Sequence, residues 1–173
     1  GQVPSLFNLL LLHRGQLRAV EADYKFGSRF PVLRFELCPR VAQSCLKVFG
    51  LHAMRPGDAE MNALRDEQLR DAGYWALAQS LPAPGGEVPV AIMGDLNLTP
   101  WAPMHGWLEG FAGLRNAGRG QGLQQSWLSR VPGLGLWIDH VLVSDAVAVA
   151  RYQVGGEVGS DHYPVIVELT WPG

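Results

Sequence analysis

Four short stretches carry side chains suited to work on an ester of phosphoric acid: "GLH" with His52, "GDLN" with Asp95 and Asn97, "WIDHVLV" with Asp139, and "GSDHYPV" with Asp161 and His162. Hard oxygen ligands such as Asp95 and Asp161 suit Mg²⁺ or Mn²⁺. An amide such as Asn97 orients a nucleophile, and an imidazole such as His162 acts on a phosphoryl oxygen or a water. Taken singly, "GDLN" and "GSDH" read as ordinary turn chemistry, since Gly, Asp, Asn and Ser all favour Asx-type turns. Three acids, an amide and a histidine at the ends of apolar runs are another matter, because loops from one sheet edge converge in space. The set predicts hydrolysis of a phosphate ester.

Within "WIDHVLV" a strand's period of two separates Ile138, His140 and Leu142 from Trp137, Asp139, Val141 and Val143. Asp139 and His140 therefore serve different faces. A carboxylate in such apolar company needs a partner, because burying it bare costs several kcal/mol. A histidine from another strand end is the natural one: Asp139 fixes its tautomer and stabilises the imidazolium. His52 follows the apolar "KVFGL", where a structural role and a phosphate-donor role are both open. His13 and His105 lack such context and read as surface or packing residues, and Trp101 and Trp107 read as core packing rather than a pocket floor.

These residues need elements to position them. Residues 58–80 carry apolar side chains near helical period, with Asp58 as N-cap, and "VPVAIM" after them reads as a strand buried on both faces. Thr99 and Pro100 read as the cap and first turn of a short helix. The Gly-, Gln- and Ser-rich residues 114–136 read as a long surface loop that lines a binding site. "PVLRFEL", "KVFGL", "WIDHVLV", "VAVARYQV" and "PVIVEL" read as strands, and so does the run from Leu9 to Leu12. No internal repeat interrupts this pattern.

The 173 residues, 47% of them hydrophobic, fit a single domain over 1–173, and a net charge of −2 supplies no basic field for non-specific nucleic-acid binding. The cations are arginine except for Lys25 and Lys47, a bias that suits bidentate phosphate contacts and equally reflects compositional habit. No apolar run approaches the roughly 18 residues of a membrane span. No targeting pattern opens the sequence, which leaves a cytosolic location or a targeting segment outside it. Cys38 and Cys45 are placed to bridge the mouth of a hairpin, which implies an oxidising compartment, or to stand as two thiols.

Taken in order, "GLH", "GDLNLTP", "WIDHVLVS" and "GSDHYPV" resemble the endonuclease/exonuclease/phosphatase superfamily, the group of pancreatic-type deoxyribonuclease, AP endonucleases and sphingomyelinases. The resemblance runs over nearly the whole chain. It implies an α/β fold, a four-layer α/β/β/α sandwich with two mixed sheets face to face, and a metal-dependent phosphoesterase site at one edge. It makes Asp95 and Asn97 the pair that contacts water and metal or phosphate, Asp161 a metal-side carboxylate, His162 a phosphate contact, Asp139 its orienting partner and His52 a second phosphate donor. The implied cofactor is Mg²⁺ or Mn²⁺, and the implied substrate is a nucleic acid, a phospholipid or a small phosphoester.

The chain departs from the family pattern at its start. An early strand bearing asparagine and a Gln-Glu pair with a metal-binding glutamate are absent; Glu21 and Glu36 are the early acids of that type, without that context. The chain thus reads as the C-terminal two-thirds of such a domain, with another chain or segment supplying the N-terminal strands. A second function follows from the same departure: a non-catalytic phosphate- or nucleic-acid-binding module that kept the fold without the metal site. Resemblance to bacterial members with upstream membrane segments leans the location toward the extracytoplasmic side, with a cytoplasmic one open.

Overall fold

The apolar runs assemble into two sheets in the computed structural model of the protein, which describes residues 9, 11–13, 15–27, 30–39, 44–80, 87–128, 130–131 and 133–172. Six strands form the larger sheet: β1 (Gln16–Asp23), β2 (Val32–Cys38), β3 (Leu46–Leu51), β4 (Val90–Asp95), β5 (Leu114–Asn116) and β6 (Asp139–Ser144), in the order β1-β2-β3-β4-β6-β5. All neighbours are antiparallel except β3 and β4. That parallel pair needs a crossover, supplied by α1 (Ala59–Ser80). The smaller sheet pairs β7 (Ala148–Val154) with β8 (Val165–Thr170).

Alternation along the central strands makes two cores. Val90 and Ile92 of β4 join Phe49, Leu51 and Leu142 beneath α1 and α2 (Pro103–Ala112), while Ala91, Val141 and Val143 face the β7–β8 pair with Val165, Val167 and Leu169. Helices, six-stranded sheet and two-stranded sheet thus stack as layers, two sheets face to face with helices outside. The ionic cluster of Lys25, Arg34, Asp23 and Asp71 ties β1 and β2 to α1, with N–O distances of 2.7–3.4 Å. Cys38 and Cys45 are joined in a disulfide that links the end of β2 to the start of β3.

Local chemistry explains most boundaries. The Met61 amide donates to Asp58 Oδ1 at 2.9 Å, the cap expected for α1. The second helix differs from expectation: it starts at Pro103, with Ala102 as a cap that lends no side chain, while Thr99 accepts from the Ala102 amide in a turn. The reason is that Pro103 has no N–H to donate to the Thr99 carbonyl, so a helix capped by Thr99 cannot run on through it, while its fixed φ fits a first helical turn. The Leu9–Leu12 run also differs. Leu9, Leu11 and Leu12 are not in a strand, and Leu12 is exposed; residue 10 lies outside the described residues.

Gly94 marks the tightest approach in the sheet. At φ 140° its added Cβ would lie 1.9 Å from the Leu51 carbonyl oxygen, so no side chain fits where β4 leaves the sheet. Gly94→Ala is expected to cost roughly 2–5 kcal/mol through backbone strain and overpacking. Urea unfolding of the two proteins checks this, and an unchanged midpoint would contradict the close approach.

Candidate active site

The register of β4 on β6 sets Asp95 opposite Asp139 at one end of the sheet. Beyond Asp95 the chain is pinned from both sides: the Ala53 amide donates to the Asp95 carbonyl at 2.8 Å and the Leu96 amide to the Ile138 carbonyl at 2.9 Å. Asn97 then turns through a left-handed conformation at φ 50°, which asparagine tolerates better than most residues. Its amide hydrogens go to the Ala53 carbonyl at 2.9 Å and Asp95 Oδ2 at 3.2 Å, while its backbone N–H donates to Asp95 Oδ1 at 2.9 Å. Burial, and next the nearby Asp139 carboxylate, push the Asp95 pKa up to about 6.

His162 arrives from the turn before β8. Its Nδ1 lies 2.8 Å from Asp139 Oδ2, and this hydrogen bond raises its pKa against the opposing effect of burial. Its Nε2 points the other way, 4.0 Å from Asp95 Oδ2. His52, one residue past β3, brings its Nε2 to 3.4 Å from the same oxygen. Burial lowers the His52 pKa, and the His162 charge lowers it further. The site therefore holds one imidazole biased toward the cation and one biased toward the neutral form.

Ser126 fastens these pieces, although nothing in its polar loop signals that role. Fully buried, its Oγ accepts from the Ile138 and Asp139 amides at 3.2 and 3.0 Å, and its carbonyl accepts from the Tyr163 amide at 2.7 Å. One residue thus fixes both the start of β6 and the turn that carries His162. The adjoining Trp127 bridges to His162 and to Leu136.

His52, Asp95, Asn97, Asp161 and His162 line one cavity of about 750 Å³, and Asp139 stands behind His162. Trp127, Leu136, Ile138, Leu98 and Ala102 supply an apolar wall, and Arg55 and Arg65 complete the rim, with Arg65 Nη2 2.9 Å from Asp66. The 114–136 segment does reach the cavity, through Trp127 and Leu136. Trp101 is exposed outside it, and Trp107 stacks on Phe111 of its own helix at 4.6 Å and meets Tyr74 of α1 edge-on at 5.7 Å. Glu21 and Glu36 share a small separate cavity with Arg34 and Lys47.

Donor chemistry at this place fits a divalent cation. Among the described residues, Asp95, Asp139 and His162 offer ligand atoms within 4.8 Å of one another; Asp161 lines the cavity outside that trio. Asp95 is held toward its protonated form by burial and a like charge, which a bound cation would relieve. The other such group, Glu36 with Cys38 and Cys45, has its sulfurs joined to each other.

A family model described as Endonuclease/Exonuclease/phosphatase family matches residues 6–162. No curated protein matches the chain. Among solved structures it is similar to an endonuclease/exonuclease/phosphatase from Beutenbergia cavernae DSM 12333, with TM-score 0.65 and 21% identity over 84% of this chain and 40% of that one. It is also similar to a Bacteroides thetaiotaomicron mannosyl-6-phosphatase, with TM-score 0.63 and 19% identity over 82% of this chain and 57% of that one. A third is D. rerio TDP2 complexed with single strand DNA product, with TM-score 0.66 and 15% identity over 90% and 68% of the two chains. At these identities the likeness is one of fold, and the chain spans about half the length of the first two.

The charges at the site give a pH dependence whose sign is fixed. Asp95 and His162 both bind protons more tightly when folded, so the stability they contribute is full below their ordinary values of 3.8 and 6.5. It is lost as pH rises through about 6 for Asp95 and through the raised value for His162. Asp139→Asn removes the main cause of the His162 shift and one cause of the Asp95 shift. In metal-free solution the wild type's stability relative to Asp139→Asn should therefore decline as pH rises from 3.8 through about 6, and again above 6.5 as His162 loses its proton. Urea midpoints across that range check it; parallel curves for the two proteins would refute the linkage.

Proposed function

This chain belongs to the Endonuclease/Exonuclease/phosphatase family, and we propose that it forms the larger, C-terminal part of a divalent-metal-dependent phosphoesterase domain. One observation carries the reading: a half-buried carboxylate flanked by two imidazoles on a shared cavity, with the second imidazole oriented by another carboxylate. Pocket, acid, amide and oriented histidine are the parts that attack of water on phosphorus requires.

Each side chain has a task in that reaction. Asp95 and Asn97 position the attacking water: the carboxylate accepts one hydrogen bond, and Asn97, with its amide hydrogens committed to Ala53 and Asp95, offers Oδ1 for another. His162 keeps its Nδ1–H on Asp139, so in its cationic form Nε2–H donates to a phosphoryl oxygen as negative charge develops there. His52 contacts a second oxygen. Asp95 with Asp139 or Asp161 would hold Mg²⁺ or Mn²⁺, which when bound supplies Lewis-acid stabilisation of phosphate charge.

The substrate is a phosphate ester: a nucleic acid, a phospholipid or a small phosphoester. One similar structure is a phosphatase and another holds a DNA product, so both support the ester without choosing its alcohol. The Cys38–Cys45 bridge supports an oxidising, extracytoplasmic setting.

A further segment or chain belongs beside β8. Among the described residues β8 pairs with β7 alone, and an apolar cleft of about 630 Å³ lies along Val165, Val167 and Leu169 between the sheets. An unpaired edge over an apolar cleft invites another strand. The chain by itself is expected to self-associate in size-exclusion chromatography, and a version extended upstream to run as a monomer; a well-folded monomer of the present chain would count against strand addition.

The activity test uses the present and extended chains with a simple phosphodiester and a phosphomonoester, Mg²⁺ or Mn²⁺ being added or chelated. Turnover should require the metal and fall by about 100-fold or more in Asp95→Asn. Absence of turnover in both chains, or an Asp95→Asn protein as active as wild type, would defeat the phosphoesterase reading.

A further inference from the structure

Directly beneath the Asp95 loop, on the helix side of the sheet, runs a chain of polar groups that the proposed reaction does not use. His105, Asn116 and His140 are 1%, 4% and 1% exposed. Asn116 Nδ2 lies 3.1 Å from His105 Nε2 and 3.0 Å from His140 Nδ1, while His140 Nε2 lies 2.9 Å from the Leu98 carbonyl oxygen. Leu98 is the residue after Asn97.

The protons in this chain follow from one backbone group. The Gly118 N–H lies 2.9 Å from Asn116 Oδ1, and an N–H can only donate. The oxygen of the amide must therefore face Gly118, and its NH₂ must face both histidines. Nitrogens facing an NH₂ must accept, so Nδ1 of His140 carries no proton. The single ring proton then sits on Nε2, aimed at the Leu98 carbonyl, which can only accept. His105 ends the chain with Nδ1 directed at Glu109 Oε2, 3.7 Å away.

We infer that His140, set in its Nε2–H tautomer by the Asn116 amide, is a positioning residue that holds the Asp95–Leu98 loop in its working shape. The loop is anchored toward β3 through Ala53 and toward β6 through Leu96, and the histidine fixes its exit, so that Asn97 keeps its left-handed turn. This rests on the phosphoesterase reading for its consequence in catalysis, and on geometry alone for the position of the loop. Neither His140 nor Asn116 lines the catalytic cavity, which makes them positioning residues and not catalytic ones.

The test joins a tautomer measurement on the unaltered protein to three variants. Long-range ¹H–¹⁵N spectra of the wild type should show His140 protonated at Nε2 alone near neutral pH. His140→Leu and Asn116→Leu should move the backbone amide signals of residues 95–99, and His140→Gln, whose side-chain N–H still reaches Leu98, should restore them. With a phosphoester substrate, kcat should fall about 10–100-fold in the two leucine variants at little-changed KM, and return in His140→Gln. An Nδ1–H ring, or leucine variants with unmoved loop signals and undiminished kcat, would overturn the inference. Should the wild type show the expected tautomer and loop response but no hydrolysis, the positioning stands and the phosphoesterase reading falls.

Discussion

Two like charges are forced together where β4 meets β6, and much of the surrounding structure answers to that. The register that buries Ile92 against Leu142 also sets Asp95 opposite Asp139, so neither carboxylate can move away without shifting the core. Like charges in a half-buried place are unfavourable unless neighbours compensate them. Here a backbone amide from Asn97, an imidazole on each side of Asp95 and a serine hydroxyl clasping the Asp139 backbone all converge on the pair. Burial first, and the residual repulsion next, leave Asp95 reluctant to ionise.

Much of this was legible in the sequence because strand periodicity is a strong signal. Alternation in "WIDHVLV" assigned Trp137, Val141 and Val143 to one face and Leu142 to the other, and the two cores divide in that way. The same alternation parted Asp139 from His140. Where the pattern is weak, elements were missed: β1, "QLRAVEAD", is an edge strand exposed on both faces and so carries no alternation. The apolar Leu9–Leu12 run looked like core, yet its described residues are not in a strand.

The residues that hold the site were harder to read than those that form it. His105 has no periodic context, and Asn116, which joins it to His140, lies 11 residues from the one and 24 from the other, so of the surface and packing readings the packing one matches its burial, and neither gave its hydrogen bond. Ser126 sits among Gln, Gly and Ser that read as loop, although it is fully buried. Polar residues of this kind act through pairings that only the fold reveals. A propensity or a motif describes one stretch of chain, and these pairings join two.

Among the described residues the β7–β8 hairpin is hydrogen-bonded as a ladder to itself and not to the larger sheet. What joins it to the body is side-chain packing, the Tyr163 amide on Ser126, the His162–Asp139 hydrogen bond and the Trp171 indole N–H on the Ser44 carbonyl. Such a hairpin is a natural unit of sub-global opening, free to lift away at less than the cost of unfolding the whole chain. When it lifts it takes His162 with it and leaves His52, Asp95 and Asn97 in place. The assembled cavity therefore lasts only as long as the hairpin stays docked, and a chain can keep most of its sheet and helices while the half of the cavity that carries His162 is absent.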